Sequence, residues 1–122
     1  MTGRRMEFLG DTAGSEMDAR QVALNQAALR TLNESIDADG VDGFIAFRCE
    51  CGQLGCNQLI TLRRAEYEAV RVNPRRFVIA TGHVVAELEH EVERYADHGV
   101  VETHRDTSEF AERTYPRRAR TA

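Results

Sequence analysis

Lysine and tryptophan are absent from this chain, which has two prolines and three cysteines. Each scarcity excludes something. With no tryptophan, five phenylalanines and three tyrosines in 122 residues, the core is modest and leans on alanine. That favours one small domain, helped by a staple, over several self-sufficient units. No apolar run approaches the roughly 18 residues of a membrane span. Arg4 and Arg5 have no apolar stretch behind them, so the first ten residues do not read as a secretory signal. A cytoplasmic protein with reduced thiols is the expectation. All sixteen basic residues are arginine, which reads as GC-rich coding of actinobacterial type. The net charge of −4 means the whole molecule does not attract nucleic acid by its overall field.

What is present is concentrated. All three cysteines fall in Cys49-Glu-Cys-Gly-Gln-Leu-Gly-Cys56. An odd number cannot close a disulfide framework, and a bridge across one residue is strained. Three thiolates and one imidazole complete a tetrahedral Cys₃His zinc site. His83, on Thr81-Gly82-His83 after the strand-like run Arg76-Phe-Val-Ile-Ala80, is the expected fourth ligand, and His104 is its chief competitor. Such a site, Cys49, Cys51, Cys56 and His83 around a structural Zn²⁺, would tie together distant parts of the chain. Cu(I) and an iron–sulfur cluster are the other guests soft thiolates accept.

The remainder predicts a small α+β fold with short antiparallel strands and about three helices. Residues 1–16 show no periodicity and are expected to be disordered. Residues 17–36 carry Val22, Leu29, Leu32 and Ile36 at helical spacing, an amphipathic N-terminal helix. Residues 43–104 form the zinc-binding α+β domain. Its strands are expected over 44–47, 58–61, 76–80 and 100–103, and its helices over 62–72, capped by Thr61, and 85–95, where Val85, Leu88, Val92 and Tyr95 share a face. Residues 105–122 read as a flexible basic tail.

Three blocks carry a resemblance: Phe47-Arg-Cys-Glu-Cys-Gly…Cys56, Leu62-Arg-Arg-Ala-Glu-Tyr-Glu-Ala-Val-Arg71, and Pro74-Arg-Arg-Phe-Val-Ile-Ala-Thr-Gly-His83. Over residues 44–104 the chain resembles a family of small uncharacterised actinobacterial proteins with this CxCG…C, EYExVR and RFxVxxGH order, zinc-ribbon-like in character. The resemblance implies that Cys49, Cys51, Cys56 and His83 belong together. Thr81 and Ala86 stand where prolines are common in that pattern.

For function, the sequence offers no phosphate loop, nucleophile elbow or His-Glu-x-x-His pattern, and four protein ligands leave zinc no open position for water. Glu50 would serve as a general base only if His83 were not a ligand. The expectation is therefore a non-enzymatic regulatory or adaptor protein acting through a protein partner or self-association. No membrane and no small-molecule substrate is called for, and oxidation of the zinc thiolates offers a redox switch. The alternative is a nucleic-acid-binding, transcription-associated module using Arg63, Arg64, Arg71, Arg75 and Arg76.

Overall fold

A computed structural model describes residues 2–40 and 43–117, with side-chain surroundings for 19–40, 43–104 and 108–117. The expected α+β architecture is present, with three helices and two small antiparallel sheets among the described residues. Helix α1 (Thr2–Asp39) leads into β1 (Phe44–Arg48) and β2 (Leu59–Arg63), which pair with Phe44 opposite Arg63 and Arg48 opposite Leu59. Helix α2 (Arg64–Arg71) follows directly, then β3 (Arg76–Ala80), β4 (Glu89–Arg94), β5 (His98–Thr103) and α3 (Arg105–Arg113). The second sheet has the order β3-β5-β4, with a bulge between Glu91 and Glu93.

The core gathers the β-branched and aromatic runs of these strands. Phe47, Ile60, Leu62, Phe77, Val78, Ile79 and Val101 are buried together with Cys49 and Cys51. Tyr67 of α2 stacks on Phe47 with ring centroids 4.2 Å apart, so α2 is locked onto the first hairpin by an aromatic pair. The backbone amide of Arg63 reaches Glu66 Oε1 at 2.8 Å, and α2 therefore starts after Arg63 rather than at a Thr61 cap.

Helix α1 departs from expectation in extent and in orientation. It begins at Thr2, through the stretch expected to be disordered. Once tertiary packing has nucleated a helix, each further residue extends it at little cost. Its buried stripe is Gln26, Arg30, Asn33, Glu34 and Asp37, not the apolar set. Both sets fit a 3.6-residue period. The polar one wins because α1 lies over backbone carbonyls and charges: Arg30 Nη1 donates to Pro74 O at 2.6 Å and Nη2 to Ala111 O at 2.8 Å. Leu32 of the expected stripe is exposed, while Val22, Leu29 and Ile36 are half-buried.

The helix expected over 85–95 is a strand. Only one helical turn forms, where the amides of Leu88 and Glu89 both reach Val85 O, and the chain then extends as β4 along β5. A second partner for β5 outweighs an apolar spacing that a short segment satisfies by chance. The segment expected as a flexible tail instead forms α3 and packs as far as Arg117. Ala111 is buried, and the Tyr115 hydroxyl donates to Arg71 O. Residues 118–122, the rest of that expectation, lie outside the described residues.

Candidate metal centre

The first hairpin and β3 bring the four proposed ligands together. The Cys49 amide continues the β1–β2 ladder by bonding Gln58 O at 3.0 Å. Two turns then shape the loop, one closed by Cys56 N to Gln53 O at 3.2 Å, the other, after β3, by His83 N to Ala80 O at 3.0 Å. His83 Nδ1 lies 3.5 Å from Cys49 Sγ and 3.6 Å from Cys56 Sγ. All four donor atoms lie within 4.8 Å of one another. A tetrahedron with Zn–S near 2.3 Å and Zn–N near 2.0–2.1 Å has S···N edges of about 3.5–3.6 Å and S···S edges of about 3.8 Å. The site fits a tetrahedral ion, and the cysteines are free thiols.

Backbone amides point at the buried sulfurs. Ala80 N donates to Cys49 Sγ at 3.1 Å and Gln53 N to Cys51 Sγ at 3.4 Å. Hydrogen bonds to a sulfur favour its thiolate, the form a metal binds. The hydrogen bond from Cys49 pushes the Cys51 thiol down to about 5, against burial and with help from Gln53, His83 and Cys56. The same bond, with burial, pushes Cys49 up. A bound dication would take the place of the shared proton and deprotonate both.

Gly52 is where α1 meets the loop. It has φ +74°, and a Cβ there would lie 2.5 Å from Val22 O. Only glycine serves both the left-handed turn and the close approach. Asn25 Nδ2 donates to Gly52 O at 2.9 Å, fastening the helix to the turn.

Glu50, between two ligands, points into the core. It is fully buried and bonded to Arg71 Nη1 at 2.8 Å and Nη2 at 3.1 Å, to Asn33 Nδ2 at 2.7 Å and to Val78 N at 2.9 Å. Burial works against the charge of Arg71, but Glu50 and Tyr67 more than compensate and hold its pKa above the ordinary value. Glu50 thus braces the Cys49–Cys51 segment and leaves no lone pair for general-base work.

Glu89 is the other buried carboxylate near the cluster. It accepts from Gln26 Nε2 at 2.7 Å and from Val85 N at 2.9 Å, which ties α1 to the loop that follows His83. Burial, with a smaller push from Cys51, raises it to about 7 from an ordinary 4.5. The folded state therefore holds this proton more tightly than the unfolded chain. Its contribution to stability is fully present below pH 4.5 and is lost as pH rises to about 7, an effect of about 3 kcal/mol. Glu89→Gln, with the Gln26 amide flipped to accept, is expected to gain about 1–3 kcal/mol over wild type at pH 8 and about nothing at pH 4.5. Urea titrations of both proteins at the two pH values check this, and a gain that does not change with pH would refute it.

The other histidines lie elsewhere. His104 faces His90, ring centroids 5.5 Å apart, and His98 Nδ1 pairs with Asp97 at 2.7 Å. The proposed phosphate-binding arginines are each engaged. Arg71 is fully buried on Glu50. Arg64 meets Asp37 at 3.3 Å, Arg75 meets Glu102 and Glu112 at 3.8 Å each, and Arg76 meets Glu102 at 2.9 Å. Arg63 lies over the Phe44 ring at 5.1 Å. Acidic partners offset four of the five charges. Sequence reasoning missed Asn25, Gln26 and Asn33, whose only signal was a set of polar residues at helical spacing on α1, and Glu89 of β4, which carried none.

Comparison with protein-family models, curated proteins and solved structures finds no match to this chain.

Proposed function

We propose that the chain is a zinc-stapled, non-catalytic module that acts in the cytoplasm through protein contacts. The observation that carries the metal reading is the convergence of Cys49, Cys51, Cys56 and His83 at tetrahedral spacing. Three soft thiolates and one imidazole suit Zn²⁺. With four protein donors the shell is closed, so the ion's contribution is to the fold. Cys49 and Cys51 are buried and Cys56 is half-buried, so an oxidant reaches Cys56 first, which is the redox side of this reading.

The contact surface is supported by what α1 leaves outside. Leu24 and Leu32 are 48% and 42% exposed, and with exposed Ala28 they share a face opposite the buried polar stripe. Phe44 and Leu59 are 66% and 59% exposed on the outer face of the first hairpin.

Elemental analysis of protein purified without added metal tests the metal reading. About one equivalent of zinc per chain is expected, and a Co²⁺-exchanged sample should show the d–d bands and sulfur charge transfer of a tetrahedral thiolate site. Less than about half an equivalent of any metal in reduced protein, with no cobalt spectrum, would sink it. Sedimentation of wild type and Leu24→Glu/Leu32→Glu over a concentration series tests self-association through α1.

A further inference from the structure

Between α1 and α2 lies an open cleft of about 660 Å³, lined by Glu34, Asp37, Arg64, Glu68 and Arg117 among others. Arg117 reaches it from beyond α3, and its guanidinium is held by two forks. Nε and Nη2 donate to Glu34 Oε1 and Oε2 at 2.8 and 3.0 Å. Nη1 and Nη2 donate to Glu68 Oε1 and Oε2 at 2.8 and 2.7 Å. Asp37 Oδ2 lies 3.6 Å from Nη2. Two bidentate pairs on one cation read the planar shape of guanidinium, which an ammonium cannot reproduce.

The acidic side of the cleft is fixed without Arg117. Glu34 and Asp37 are buried on α1, and the Tyr67 hydroxyl donates to Glu34 Oε2 at 2.8 Å. Among the described residues nothing donates a hydrogen bond to the buried Asp37 Oδ1, and Arg64 Nε lies 3.3 Å from it. Acceptor capacity therefore exceeds what Arg117 uses. The Arg117 fork draws Glu68 down to about 2, and burial, with Glu68 beside it, lifts Asp37 to about 6.

We propose that Glu34, Asp37 and Glu68 form a receptor for an arginine side chain, filled in cis by Arg117 and able to take an arginine of a basic peptide in its place. The chain carries an example of that ligand in Arg117-Arg-Ala-Arg120. This inference is independent of the metal reading.

The test is chemical complementation of full-length Arg117→Ala, used as purified. Ethylguanidinium and ethylammonium are titrated separately while amide resonances of residues 34–38 and 64–68 are followed by NMR. Saturable shifts are expected with ethylguanidinium, binding about tenfold or more tighter than ethylammonium and about tenfold tighter than to wild type, where Arg117 competes. The peptide acetyl-Tyr-Pro-Arg-Arg-Ala-Arg-amide should bind the variant in the same order over wild type, and its lysine counterpart should not. Absence of saturation, or equal binding of the two cations, would overturn the proposal and leave Arg117 as a clasp. Should Arg117→Ala fail to fold, far-UV circular dichroism should show refolding with ethylguanidinium and not with ethylammonium; no such difference overturns it equally.

Discussion

Glu50→Gln is expected to destabilise the protein by about 3–5 kcal/mol, because it leaves the fully buried Arg71 guanidinium without its counter-charge. Breaking one side of a buried ion pair strands the other in a medium that solvates it poorly. Removing both sides costs less. Arg71→Met alone strands the Glu50 carboxylate in turn, and the double variant Glu50→Gln/Arg71→Met should recover about half or more of either loss. Full recovery is not expected, since Arg71 also donates to Arg76 O at 2.7 Å and to the Tyr67 hydroxyl at 3.2 Å. Denaturant titration of the four proteins gives the coupling energy directly, and singles that each lose less than about 1 kcal/mol would show that the pair is not the hub described. A second consequence separates this hub from an ordinary buried pair. Glu50 lies between Cys49 and Cys51, and its bonds to Asn33 and Val78 set the path of that segment. Glu50→Gln should therefore lose zinc to a chelator faster than wild type under native conditions.

The hub also shows where the sequence could and could not be read. Strands β1, β2, β3 and β5 were legible because their residues are β-branched or aromatic and bounded by turns. The Cys49, Cys51, Cys56 and His83 cluster was legible because three cysteines in eight positions have few other uses. The Glu50–Arg71 pair was not, for nothing in one sequence links a glutamate and an arginine 21 positions apart. Arg71 accordingly read as a phosphate contact, when burial had already committed it. The inward face of α1 was hidden for a related reason. Periodicity identifies apolar stripes, whereas α1 docks by polar groups that satisfy carbonyls and charges from other segments. Segment 85–95 failed by ambiguity of period: four apolar residues at helical spacing coexist with Glu89-His-Glu-Val-Glu, and only pairing with β5 decides for strand. Segment 105–117 failed because, beside the small Ala111, its anchors are one arginine and one tyrosine, Arg117 and Tyr115, which look like solvent-facing residues until Glu34, Glu68 and Arg71 O are in place around them.

Removal of the metal, by chelation or by Cys51→Ser, is expected to have the largest effect of all. Apparent zinc binding energies of about 10–16 kcal/mol in small thiolate sites compare with net stabilities of about 5–15 kcal/mol for domains of this size. The cluster joins Cys49 to His83, 34 positions apart, and holds the first hairpin to the turn after β3. Cys56 and His83 are only half-buried, so at that corner burial offers little to replace the ion. Without the ion Cys49 and Cys51 share one proton, the hydrogen bond between them holding Cys49 up and Cys51 down. A bound ion replaces that one shared proton with a bond to each sulfur, so its loss leaves a single hydrogen bond where there were two ligand bonds. A serine hydroxyl at position 51 keeps its proton at neutral pH and does not replace the thiolate as a ligand. Thermal melts should show the zinc-loaded protein unfolding cooperatively, with a midpoint that rises with free zinc concentration as linkage requires. Chelated wild type and Cys51→Ser should have lost that transition. Cys56→Ser, at the half-buried corner, should bind zinc more weakly yet fold at high zinc, because the two sulfurs held by Ala80 N and the core remain. Apo protein that melts within a few degrees of the zinc-loaded form would show that the core of Phe47, Tyr67 and Phe77 suffices without the ion, and the structural role of the metal would fall with it.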